Sequence, residues 1–311
     1  MLALIDLNEE QRKRNFSLIG DDLLARIHEA LQNNTKVLLF HNRKQYARRV
    51  QCKDCRYLYE CSSCHLPLIL GKVGAQNLLC AHCGDKQELR ACPHCKGHRF
   101  HYTSFGLEKI KEYLMQTGVG GVAVAGDGNK LLTTSYQLLQ EASILIATQP
   151  PYIDTPVHPI PIACAAIINI DTDFYLPDFT TTRRVFNRII HFNHFCQELS
   201  IPTRIIQTYT PHHYCIQSAI QDNRAAFQSK EEAMRKLFRY PPYYRLIKLI
   251  YRHTDTLQCK LEAERLYARL RTMAVNDTTA ITPPNPTWAP YVRGNYCYQI
   301  VIKRQKDELP I

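Results

Sequence analysis

Residues 52 to 64 read CKDCRYLYECSSC, and the same Cys-x-x-Cys step returns as CAHC at 80 to 83 and CPHC at 92 to 95. Eight of the thirteen cysteines of the chain thus fall within 44 residues, all in pairs two residues apart. A Cys-x-x-Cys turn lets two sulfurs face one point, and two such turns complete the tetrahedral four-sulfur shell that zinc prefers. Eight ligands therefore predict two zinc ions. The inner quartet, Cys61, Cys64, Cys80 and Cys83, has the fifteen-residue spacer of a zinc ribbon. If that hairpin closes, it brings the outer quartet, Cys52, Cys55, Cys92 and Cys95, within reach of itself. Nested pairing is the simplest geometry, and a crossed pairing stays open. His65, His82 and His94 lie inside or beside intact pairs and are expected to face solvent. A thioredoxin-like redox role would need one such motif between a strand and a helix, not four in a loop-rich insert. A closed four-sulfur site leaves no open position for chemistry, so the metal role is structural by default.

Outward from this block the chain alternates. Residues 17 to 32 place Leu23, Leu24, Ile27, Ala30 and Leu31 on one helical face, with Asp21 and Asp22 near its N-terminal end. KVLLFHN reads as a buried parallel strand. Beyond the block, GLEKIKEYLMQ is helical, GVAVAGDG a strand, SYQLLQE a short helix, and SILIATQ and IACAAIINID further strands. The segments flanking the cysteines therefore spell βαβαβ. They predict an α/β doubly wound parallel sheet interrupted by the cysteine module. From about residue 200 the character changes. TRIIQTYT is strand-like, and residues 218 to 239 form a long helical stretch with a break expected near Gln228. After YPPYY come a strand RLIKLIYRH and a helix over 256 to 273 with Leu257, Leu261, Leu266 and Leu270 on one side. A proline-rich linker TPPNPTWAP and a strand YCYQIVIKR follow, together a small α+β C-terminal domain.

With 311 residues, 45% apolar and 22% charged, the chain has the composition of a soluble protein of two or three compact units. MLALIDLNEEQRKR carries no basic segment before a long apolar run, and PIPIACAAIINI is too short to span a bilayer. A cytoplasmic protein with reduced thiols and no membrane partner is the expectation. The formal charge of +11 suits a polyanion such as nucleic acid. From Arg43 to Arg99 the formal charge is +7, which eight thiolates and two zinc ions reduce to +3. Arg43, Lys44, Arg48 and Arg49 form a local cluster able to meet phosphates or to serve as a solvated face. The single thiols Cys164, Cys196, Cys215, Cys259 and Cys297, and the histidines His212 and His213, are assigned no chemistry.

VLLFHNRKQYARRVQCKDC, followed by this cysteine arrangement, resembles the second helicase lobe of the PriA family of primosomal replication-restart helicases. ILIATQ is similar to the family's ILIGTQ, DTDFYLPDF to its D-x-D-x-x-x-x-PDF stretch, and IIQTYTPHHYCIQSAIQDNRAAF to its QT-x-x-PxH region. YPPYYRLIKLI and APYVRGNYCYQIVIK are similar to the family's C-terminal motifs. The resemblance implies a RecA-like helicase lobe two over 1–50 and 100–205, a zinc-binding insert with two nested four-cysteine sites over 51–99, and a C-terminal domain over 206–311. It implies forked or single-stranded DNA and replication-restart proteins as partners.

The departures bear on activity. No G-x-x-x-x-G-K-[ST] and no DEAH-like acidic box occur in the sequence, so ATP is not expected as a ligand. The family's Q-V-A-G-R-A-G-R falls on His191, Phe192, Asn193, His194, Phe195, Cys196, Gln197 and Glu198, which lack both arginines. An arginine that stabilises transferring phosphoryl charge is worth ~10³ or more in rate. Ala147 replaces the glycine of the TQ motif, and Pro150 and Pro151 stiffen the segment beyond it. The reading is a non-catalytic zinc-binding scaffold that binds DNA or partners. The alternative is the lobe-two half of a split ATP-dependent 3'-5' DNA helicase, completed by a partner chain and drawing on Arg183, Arg184 or Arg188.

Overall fold

The computed structural model describes residues 2–13, 15, 17–41, 49–62, 68–70, 77–80, 85–103, 107–125, 138–148, 160–175, 178–273, 278–292 and 294–306. The chain divides into two compact units, Met1–Phe227 and Gln228–Ile311.

The first unit is built on a six-stranded sheet, every adjacent pair of which is parallel. Its strands are β1 (Leu2–Asp6), β2 (Lys36–Phe40), β8 (Val122–Val124), β9 (Ile144–Ala147), β10 (Ile162–Ile167) and β11 (Thr203–Thr208), in the order β1-β11-β10-β2-β9-β8. The central strands are continuous apolar runs because both faces are covered. Val37, Leu38, Leu39 and Phe40 of β2 are all buried. On one face Val37, Leu39, Ile144, Ile146 and Ala166 pack with α2 (Asp21–Gln32) and α3 (Leu107–Gln116) through Leu23, Ile27, Ile110 and Leu114. On the other, Phe40 meets Phe192 and Phe195 of α4 (Thr181–Glu198) edge to face, at centroid distances of 5.8 and 6.0 Å.

The parallel order and most strands match the reading from the sequence. β1 was not foreseen, and β11, placed there beyond the change of character at 200, pairs with both β1 and β10 inside the large sheet. The expected boundary at 205/206 thus falls within β11. The cysteine block leaves the sheet after β2 and returns before α3. It forms its own five-stranded sheet, β3 (Arg49–Cys52), β4 (Ile69–Leu70), β5 (Asn77–Leu79), β6 (Lys86–Glu88) and β7 (Phe100–Thr103), in the order β6-β5-β4-β3-β7. All its pairings are antiparallel.

α1 (Leu7–Arg12) follows β1, and a 3-10 turn (Ile170–Tyr175) follows β10. The long helical stretch after β11 is two helices, α5 (Tyr214–Ile220) and α6 (Arg224–Leu237). They are separated at 221–223 rather than near Gln228. Asp222 takes a left-handed φ of 50°, and the Asn223 side chain accepts from Ala226 N at 2.9 Å, so one helix ends and the next is capped there.

In the second unit, β12 (Tyr244–His253), β13 (Thr279–Ile281), β14 (Asn285–Val292) and β15 (Asn295–Gln305) form an antiparallel sheet with α7 (Thr256–Met273). The proline-rich segment expected as a linker is β14. Its register against β15 shifts between Pro286 and Tyr291, the kind of irregularity at which a strand tolerates proline. α7 buries Cys259 and Ala263, while Leu257 and Leu261 are exposed, so the leucine stripe is not the buried face of that helix. Among the described residues no helix is long and apolar enough to cross a membrane.

Phe40 sits at the crossing of β2 and α4, where truncation leaves a cavity bounded by two rings. Phe40→Ala is expected to destabilise the first unit by about 3–5 kcal/mol. The exposed Met115→Ala is expected to stay within about 0.5 kcal/mol, both read from denaturant unfolding midpoints.

Candidate metal centre

Cys52, Cys55, Cys92 and Cys95 converge at the mouth of the insert, with one ligand atom from each and all within 4.8 Å of one another. The convergence follows from strand pairing. Cys52 ends β3 and lies opposite Phe100, which opens β7, so the segments carrying the two pairs are held side by side. Each pair then folds into the same turn. Arg56 N donates to Cys52 O at 3.0 Å and Cys52 N to Tyr57 O at 2.9 Å; Lys96 N donates to Cys92 O and Cys92 N to Gly97 O, both at 2.8 Å. The residue after each second cysteine turns left-handed, with φ of 63° at Arg56 and 61° at Lys96. Two unrelated side chains in one uncommon conformation at equivalent places mark a repeated knuckle.

The sulfur geometry suits a metal. Cys52 Sγ lies 3.6 Å from Cys95 Sγ, and Cys55 Sγ 3.5 Å from Cys92 Sγ. Adjacent ligands of a tetrahedral site with Zn–S near 2.3 Å stand ~3.8 Å apart. The four cysteines are close enough to bind one ion. Burial, with the neighbouring thiols adding to it, pushes the Cys55 thiol up to about 12, so without metal Cys55 keeps its proton at neutral pH. A latch closes the arrangement: Arg99 forms an ion pair with Asp54, and Lys53 N donates to Arg99 O at 2.8 Å. A Cβ on Gly97 would collide with the Asp54 carboxylate and stand 3.3 Å from Cys95 Sγ, so a larger residue there would have to push the Asp54 carboxylate aside.

Of the inner quartet, Cys61 and Cys80 are buried. Cys61 Sγ lies 3.5 Å from Asp85 Oδ2, and Cys80 N donates to Asp85 O at 2.8 Å, which closes the turn between β5 and β6. Cys64, Cys83, His65 and His82 lie outside the described residues. So do Arg43, Lys44 and Arg48, while Arg49 contributes backbone to β3 and its side chain is not described. His94 is exposed on the second knuckle, as expected of a residue that faces solvent.

The insert is tied to the strand ends of the lobe by groups that carry no sequence signature. Gln51 Nε2 donates to Gln11 Oε1 of α1 at 2.6 Å, and Gln11 Nε2 to the Tyr209 hydroxyl at 3.3 Å. Asp171, wholly buried, accepts from Thr208 Oγ1, Tyr209 N and Thr210 Oγ1 at 2.9, 2.8 and 2.6 Å. Burial first, then the Asp171 charge, pushes the Glu60 carboxyl of the insert up to about 7. His213 Nδ1 stands 3.1 Å from Cys215 Sγ, but both residues are buried and the imidazole caps α5 by accepting from Cys215 N.

On α4 the two positions aligned with the arginines of that motif are Phe195, half-buried, and Glu198, exposed. Phe192 and Cys196 are buried, and Phe195 packs on Phe40. Arg188 pairs with Asp173 at 3.1 Å and donates to Thr148 O at 2.7 Å; Arg184 pairs with Asp178 at 3.3 Å. Arg183 is exposed.

Fold and site together define a RecA-like α/β lobe carrying a cysteine-rich module able to bind metal, followed by a small antiparallel sheet unit. The comparisons with known proteins agree with one family. Replication restart protein PriA of Chlamydia pneumoniae is 30% identical over 314 residues, 97% of this chain and 41% of the relative. PriA of Bacillus subtilis is 27% identical over 319 residues, 98% and 39%, and that of Thermotoga maritima 26% over 315 residues, 99% and 41%. The chain is similar to PriA over nearly its whole length, spans about two-fifths of the length of these relatives, and is consistent with the C-terminal half of that protein. No protein-family model matches it.

Because ligand thiols must lose protons, metal affinity is expected to fall by more than about tenfold per pH unit from pH 8 to pH 6, measured by competition with a colorimetric chelator. Gly97→Ala is expected to weaken metal retention by roughly tenfold in the same assay, the size of effect seen when groups that orient ligands are disturbed.

Proposed function

We propose that the protein is a non-catalytic, zinc-binding relative of PriA that acts in replication restart in the cytoplasm, holding DNA and partner proteins rather than moving along DNA. Two zinc ions, one in each nested four-cysteine site, would fix the insert; Cys61, Cys64, Cys80 and Cys83 would hold the second. A thiolate quartet suits zinc, which supplies a rigid tetrahedral node and no redox chemistry. The carrying observation lies on α4. The two family arginine positions fall on Phe195, which packs on Phe40, and on Glu198, an exposed acid, and the nearby Arg188 is committed to Asp173 and the Thr148 carbonyl.

The DNA half of the reading rests on charge. The second unit carries fifteen Lys and Arg against eight Asp and Glu, so +7 of the chain's +11 resides in its last 84 residues. Arg245 lies directly opposite Arg304 across the β12–β15 pair, and both are exposed. Two exposed guanidinium groups side by side raise the local positive potential that a polyanion meets. Phosphates of forked or single-stranded DNA are the proposed anions.

A second reading, the lobe-two half of a split helicase, is favoured by one residue. Arg183 is exposed on α4 and makes no ion pair among the described contacts, so it is the arginine left to serve a nucleotide held by a partner chain.

Purified protein is expected to bind forked DNA with an affinity that falls steeply with salt, and Arg245→Ala to reduce the salt slope by about one. It is expected to show no DNA-stimulated ATP hydrolysis. Turnover by the protein alone overturns the reading. Turnover only with a P-loop partner, abolished by Arg183→Ala, establishes the second one.

A further inference from the structure

The two knuckles of the outer site meet along a line of rings running from the interior of the insert to its surface. Phe100 contacts Tyr59 edge to face at 5.8 Å, Tyr59 contacts Tyr57 in the same way at 5.5 Å, and Tyr57 lies parallel to His94 within 7° at 6.4 Å. Tyr59 is buried, Tyr57 half-buried and His94 exposed. The exposed ring thus lies parallel to the outer end of a row of aromatic side chains. It projects from the middle of CPHC, between Cys92 and Cys95, where the knuckle fixes its backbone.

Cations flank this ring. Lys53 at the tip of the first knuckle, Lys96 after the second, and His98 are exposed. Lys53 makes no ion pair among the described residues, and Lys96 Nζ reaches only the Pro93 carbonyl, at 3.4 Å. Asp54, the acid of this surface, is already paired with Arg99. Residues 52–57 and 92–99 carry a formal +3, which four thiolates and one divalent ion lower to +1. Phosphate attraction here is small, and the distinctive feature is a flat, solvent-facing ring parallel to Tyr57.

We propose that this edge of the metal module is a contact for single-stranded nucleic acid, in which one base stacks on His94 backed by Tyr57 while Lys53 and Lys96 meet the neighbouring phosphates. The inference rests on the nucleic-acid part of the proposed function and adds a second surface, distinct from the basic sheet of the second unit. An unpaired base is the fitting ligand because its face is free, whereas in a duplex both faces are covered by the stack. Base–aromatic stacking is worth about 1–3 kcal/mol per base and tolerates any sequence. Pre-ordering of the rings by the ladder lowers the ordering cost of binding. Since stacking outweighs ion pairing here, His94 should affect affinity without changing the salt slope, the reverse of Arg245.

The experiment uses the full chain with zinc content measured for every variant. A fluorescent oligo-dT of about twelve nucleotides and a blunt duplex of similar length serve as probes. His94→Ala is expected to weaken oligo-dT binding about tenfold, with the salt slope and duplex affinity unchanged. His94→Trp is expected to keep or raise the affinity and to show tryptophan quenching on binding; Trp288 is the chain's one other tryptophan. Lys53→Ala with Lys96→Ala is expected to lower the salt slope by about one to two. A zinc-replete His94→Ala protein that binds oligo-dT as tightly as the wild type, while forked DNA binding persists, overturns this inference alone. Wild-type protein that binds no DNA overturns it together with the DNA half of the proposed function.

Discussion

The pairing of β3 with β7 is the constraint on which the insert depends, because it brings two knuckles that are 37 residues apart in sequence to one point. The strands of this sheet are two to four residues long, too short to be stable by backbone pairing alone. Four sulfurs at tetrahedral spacing offer what the strands lack, since structural zinc sites of this type contribute about 10–16 kcal/mol to folding. The chain therefore leaves a parallel sheet, builds an excursion whose four outer cysteines are close enough to bind an ion, and re-enters at α3 without disturbing the order of the strands around it.

The same economy is visible on α4. In the last turns of α4, Phe192 and Cys196 face the core while His194, Gln197 and Glu198 are exposed. Phe192 and Phe195 enlarge the core against Phe40, and Arg188 ties α4 to the 3-10 turn and to the end of β9. The Gln51–Gln11–Tyr209 contacts join the insert to those same strand ends. These contacts tie the insert, α1 and α4 to the ends of the central strands.

Most of the large sheet was legible because β2, β9 and β10 are buried on both faces and so read as unbroken apolar runs. β1 was not, since it lies at the sheet edge and its burial alternates weakly, leaving no run to read. The helix over 256 to 273 was placed to the residue, yet its leucines misled. Leucines at 257 and 261 suggest a core stripe, whereas the sheet is met by the smaller Cys259 and Ala263, which allow closer approach. In the site, the outer quartet was readable because ligand spacing is itself the chemistry. The Asp54–Arg99 latch, the close approach of Gly97 to Asp54, the carboxylate at Asp171 and the ring ladder were not, because each joins residues that only the folded insert or the sheet brings together.

Zinc stoichiometry of the native, extensively dialysed protein, taken by elemental analysis alongside circular dichroism before and after chelation, tests the central claim most directly. The account predicts two ions per chain and loss of the insert's structure when they are removed. Fewer than two ions, or an insert that keeps its fold without metal, would contradict it.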